Sequence, residues 1–124
     1  MHRKLLYIAF GLVVLLATLH FIAIAHYFYW TLWWYDYLMH FLGGLALGFF
    51  ILSFSNTVSM KTISISIVCV MLLGGAWEIF EYINGIVDSI ESYYTLDVIH
   101  DLIADGVGAV LAALYTTSRS QESF

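Results

Sequence analysis

Residues 5–25, LLYIAFGLVVLLATLHFIAIA, form a run of 21 with no formally charged side chain. About 20 such residues, at 1.5 Å per residue, cross the hydrocarbon core of a bilayer as a helix. Three further apolar segments follow, over residues 37–54, 62–83 and 98–116. The last is the weakest in hydropathy, because it carries Asp101 and Asp105. The reading is an all-α polytopic membrane protein: four transmembrane helices in a bundle, making residues 1–124 a single membrane domain. Arg3-Lys4, the apolar run and Ala23-x-Ala25 also resemble a secretory signal. The run is longer than a typical h-region, so it is expected to remain as a span.

Composition agrees. Of 124 residues, 62% are hydrophobic and only 10% charged, with no proline. Soluble domains carry about 25% charged residues. Nothing basic points to nucleic acid, and the single Cys69, in an apolar run, offers no intramolecular disulfide. No repeat, low-complexity tract or domain boundary interrupts the chain.

The charges are segregated. Arg3, Lys4, Lys61 and Arg119 flank the segments so that four spans bring all of them to one face. The positive-inside rule makes that face cytoplasmic, with both termini on it, and makes the chain a multi-pass protein of the cell membrane. Asp36, Glu78, Glu81, Asp88, Glu91, Asp97, Asp101 and Asp105 fall at the other face, as do Trp30, Trp33, Trp34 and Trp77. Carboxylates in a membrane are costly unless paired, and no lysine or arginine accompanies these. Protons or metal ions are left to neutralise them.

Helical spacing makes the acids converge. Asp36 and His40 are four apart on one face, continued by Gly43, Gly44 and Leu47, with Gly48 beside them. Glu78 and Glu81 share a face above Gly74 and Gly75, and Asp97, Asp101 and Asp105 form a strip that continues as Gly108 and Ala112. Small residues let helix backbones approach closely in lipid. Carboxylates plus imidazole suit one or two divalent ions, with magnesium, manganese, zinc or iron as the candidates. The expected ligands are Asp36, His40, Glu78, Glu81, Asp101 and Asp105. Asp97 and His100 are candidates for orienting or acid–base roles, and His40 is also a candidate base. Against this stand plainer roles. Asp36 and Asp97 suit helix N-caps, Asp88 and Glu91 suit solvated loop charges, His20 and His26 suit packing or the headgroup region, and His100 suits lipid headgroups.

Tyr35-Asp36-x-x-x-His40-Phe41, Trp77-Glu78-x-x-Glu81 and Asp97-x-x-x-Asp101-x-x-x-Asp105 with Gly108-Ala109 resemble the YjdF-like family and, less closely, the VanZ-like family of small membrane proteins. The resemblance runs over about residues 35–112 and implies a helical membrane domain with a polar site. VanZ-like proteins tend to carry Gln and then Arg after the glutamate, where this chain has Glu81 and no arginine.

The leading expectation is an outer-leaflet divalent-metal site used for hydrolase or transferase chemistry on a lipid or lipid-linked headgroup. The outer half has no cation to grip a phosphate, so whether the chain is an enzyme stays open. Alternatives are cation or proton transport or sensing, and a structural or assembly role. Membrane lipid is the expected partner, and self-association is left open.

Overall fold

The computed structural model describes residues 2–55, 57–85 and 93–121, with side chains to residue 119. Asp88 and Glu91 lie outside the described residues. The elements are α1 (Arg3–His26), α2 (Phe28–Thr31), α3 (Tyr35–Ser53), α4 (Met60–Asn84) and α5 (Tyr94–Gln121), with no strand among the described residues. Helices α1, α3, α4 and the Tyr94–Arg119 part of α5 are long and apolar enough to cross a membrane. The helices extend beyond the apolar runs because their polar ends stay helical. Most consequentially, α5 begins at Tyr94 and takes Asp97 into its first turn.

Local chemistry sets the ends. Ser59 caps α4 by accepting the Thr62 N–H at 3.2 Å, and Gly85, at φ 64°, closes it in the left-handed region. Tyr27 closes α1 with φ 59°, its N–H directed to Ala23 and Ile24 carbonyls. That conformation costs a non-glycine residue roughly 1–2 kcal/mol. It turns the chain directly into α2, so the aromatic linker carries a short helix that spacing did not suggest.

Helix α3 is the hub, packing on α1, α4 and α5, while α4 also packs on α5. The α3–α5 crossing is the closest because its contact positions lack side chains. A Cβ at Gly44 would collide with the Asp105 backbone, and one at Gly108 with the Phe41 carbonyl and Leu45 amide. At Gly48 it would lie 2.9 Å from the Ala112 Cβ. Glycine is required there by space. Gly75, expected in the same role, faces open space.

The first turn of α1 meets the last turn of α3. The His2 N–H donates to the Ser53 carbonyl at 2.7 Å, tying the start of α1 to the end of α3. Beneath, Leu5, Ala9, Phe49, Leu52, Ala112 and Ala113 form a buried cluster. Arg3, Lys4, Lys61 and Arg119 belong to this end by helix direction, and Asp36, Glu78, Glu81, Asp97, Asp101, Asp105 and the tryptophans belong to the other. Phe10, Phe21, Leu72, Ile79 and Ile103 point outward and exposed, as apolar side chains do where lipid is the solvent.

Candidate functional site

The site is built at the end opposite the termini, where α3, α4 and α5 meet around His40. Asp36 and His40 lie one turn apart on α3, Glu78 and Glu81 on the last turns of α4, and Asp101 and Asp105 on α5. Residue exposure falls to 7% at His40, 5% at Glu78 and Asp105, and 2% at Asp101, while Asp36 and Glu81 are half-buried. Gly74 makes the room, since a Cβ there would occupy the place of the Asp105 carboxylate.

His40 is the pivot. Its Nδ1 lies 3.2 Å from Asp105 Oδ2 in hydrogen-bond geometry, and its Nε2 lies 3.3 Å from Glu78 Oε1. The second contact is an ion-pair distance without hydrogen-bond alignment, so Glu78 Oε1 has no hydrogen-bond partner. Asp101 Oδ1, equally buried, has none either. Buried carboxylate oxygens are normally satisfied, and each orphan costs about 1–3 kcal/mol or more if charged. Two sets of three donors also converge. One atom each from Asp36, His40 and Asp101 lie within 4.8 Å of one another, as do atoms from His40, Glu78 and Glu81. All six residues expected as ligands from the sequence are therefore gathered in one place, with Asp105 on the His40 ring outside both sets.

A family model described as "Predicted membrane protein (DUF2238)" matches residues 2–122. The chain belongs to this family. The DUF2238 match takes in every described helix and every residue of the cluster. No curated protein and no solved structure matches the chain.

Around this DUF2238 cluster lies an outer layer. Tyr37 donates its hydroxyl to Asp97 Oδ1 at 3.0 Å, and its ring meets the exposed His100 edge-on. Asp97 and His100 thus stand beside the cluster, in neither donor set. Neither aspartate matches its N-cap alternative. Trp34 holds the cap position of α3 without a side-chain bond, Asp36 is in the first turn, and Asp97 is in the first turn of α5.

On α2, the hydroxyl of Tyr29 lies 2.8 Å from His20 Nδ1. Burial, then the negative charge of Asp36, pushes that phenol up to about 12, so it stays protonated at neutral pH. Tyr35 donates to the Leu19 carbonyl at 3.0 Å, and its ring meets Tyr29 edge-on. These bonds fix α1 and α2 against α3. His20 is thus packed and hydrogen-bonded, while His26 stacks on Phe28.

Tyr37 and Tyr29 were missed as partners of the site. Both carry the ordinary mark of an aromatic belt, and no spacing rule links Tyr37 to Asp97, 60 positions away, or Tyr29 to His20 across the turn between α1 and α2. Their role follows only from which helix each one faces.

Proposed function

We infer that this DUF2238 chain is a multi-pass protein of the cell membrane that binds divalent metal at its outer-leaflet carboxylate and histidine cluster. The metal serves hydrolase or transferase chemistry on a lipid or lipid-linked headgroup. The observation that carries the reading is the pair of buried, unpartnered oxygens, Glu78 Oε1 and Asp101 Oδ1, beside His40 in a half with no lysine or arginine among the described residues. Bound divalent metal supplies the missing partners of these oxygens and the missing positive charge. It also supplies what an enzyme acting on phosphate would otherwise take from arginine: a polarising charge and an activated water. The depth suits a membrane substrate, since His40 lies five residues into α3, roughly 8 Å below its start. The likeness to YjdF-like sequences, in Asp36-x-x-x-His40 and Glu78-x-x-Glu81, concerns the same residues and supports the same centre.

The test is to purify the protein in mild detergent without chelator and supply magnesium, manganese, zinc or iron. It is then incubated with phospholipids and a polyprenyl diphosphate, and released phosphate or headgroup is followed by mass spectrometry. Chelator-sensitive release, lost in His40→Gln, is the expected outcome. Bound metal without turnover of any headgroup would sink the enzymatic half and leave a binding site.

A second reading, cation or proton transport, has one observation in its favour. Ser66 Oγ is fully buried and without a hydrogen-bond partner in the cytoplasmic half of α4. The packing weighs against it, because buried Val70, Gly48, Ala109 and Ala112 lie between that hydroxyl and the acids.

A further inference from the structure

We propose that the cluster is a two-ion centre, with a tight position at His40, Glu78 and Glu81 and a looser, exchangeable position at Asp36 and Asp101. This rests on the divalent-cation reading above and goes beyond it by assigning the ions and the substrate oxygen between them.

The two donor sets share only His40; otherwise one takes its acids from α3 and α5 and the other takes both of its acids from α4. Each set also contains a residue that carries one of the unpartnered buried oxygens, Glu78 with Oε1 in one and Asp101 with Oδ1 in the other. A single ion that satisfied one would leave the other orphaned, at a cost that a buried carboxylate does not bear without a partner.

Charge points the same way. Asp36, Glu78, Glu81, Asp101 and Asp105 carry five negative charges when ionised, and His40 is the sole basic side chain among them. One divalent ion leaves three charges uncompensated in a low-dielectric site. Two leave one, which Asp105 places against the His40 ring.

The imidazole sets the order of affinity. Nδ1 lies in hydrogen-bond geometry 3.2 Å from Asp105 Oδ2, which orients the ring and holds its proton on that nitrogen. The lone pair of Nε2 is then left for the side on which Glu78 lies, at 3.3 Å. That position therefore has imidazole and two carboxylates. The other keeps Asp36 and Asp101 as its protein ligands, and Asp36 is half-buried. Its coordination is completed by water or by an oxygen of the ligand. Two ions a few ångströms apart, one of them open, form the arrangement that clamps the attacking and leaving oxygens of a phosphate ester. The class of substrate that follows is a phosphomonoester or phosphodiester carried on a lipid, rather than a carboxylic ester or an amide.

The experiment is a titration of the full chain in detergent with Mn²⁺ alone, read by bound metal and by electron paramagnetic resonance. Wild type is expected to bind two ions per chain in two steps, the second quenching the six-line signal of the first through spin coupling. Glu81→Gln should weaken the first step by about tenfold or more, and Asp36→Asn should remove the second while leaving an uncoupled six-line spectrum. Both substitutions are at half-buried positions, and a single monodisperse elution peak checks each fold. One ion per chain, lost equally in both variants, overturns the two-ion assignment and leaves the cation reading standing. No bound Mn²⁺ in folded wild type overturns both. Two ions retained unchanged in both variants overturn the assignment of donors.

Discussion

The same three helices, α3, α4 and α5, build two unlike interiors. Toward the termini the core is mainly apolar, with Gly48, Phe49, Leu52, Val70, Ala109, Ala112 and Ala113 closed by contact and the small hydroxyl residues Ser53, Ser66 and Thr116 among them. Toward the opposite end the equivalent positions are Asp36, His40, Glu78, Glu81, Asp101 and Asp105. In lipid there is no hydrophobic drive between helices, so close backbone approach must supply the association. The tight half holds the helices in a fixed relation, and that rigidity keeps acids together that would repel one another if free to move. The difference teaches that close apolar packing and buried polar groups are divided along the helix axes, with Gly44, Gly74 and Gly108 at the boundary.

Breaking the tight half should have the largest effect. Gly44→Leu or Gly108→Leu inserts a side chain where even a Cβ meets backbone. Each is expected to cost more than about 3 kcal/mol, or to prevent assembly, as read by thermal unfolding in detergent. Gly75→Ala, with open space around it, should stay within about 0.5 kcal/mol. Equal damage from both would refute a steric role for the crossing.

Breaking the polar half acts differently. His40→Leu removes the ring that pairs with Asp105 and Glu78 and leaves buried carboxylates facing one another, an expected loss of about 3–5 kcal/mol without metal. If His40→Leu is as stable as wild type with and without added metal, the acids are not held by the ring.

The outer layer should matter least. Tyr37→Phe deletes the hydroxyl bonded to Asp97, and Tyr35→Phe the one bonded to Leu19, each worth about 1 kcal/mol in thermal unfolding. Tyr37→Phe is also expected to leave metal content unchanged, because Asp97 lies in neither donor set. Loss of metal in that variant would move Asp97 into the site.

Much of this division is legible in the sequence. Segregated charge marked which helix ends gather together, and four-residue spacing put Asp36 with His40 and lined up Asp97, Asp101 and Asp105, since helix periodicity is a local property. What periodicity does not carry is the rotation of one helix against another. That rotation decides that Gly74 rather than Gly75 receives the Asp105 carboxylate, and that Asp97 meets Tyr37 while Asp101 turns inward. Helix α2 was hidden for another reason: its entry depends on Tyr27 adopting a conformation that tyrosine disfavours.

Bound metal tests most directly whether a divalent ion neutralises the acids that the helix crossing brings together. Protein purified without chelator, then incubated with magnesium, manganese, zinc or iron and desalted, would be analysed by inductively coupled plasma mass spectrometry. The Glu78→Gln, Asp101→Asn double variant, which blunts both unpartnered oxygens, would be run beside it. Stoichiometric metal in wild type, absent from a double variant that remains folded, is the predicted result. Metal-free wild type under every condition would contradict the account, and protonated carboxylates would then have to hold the cluster.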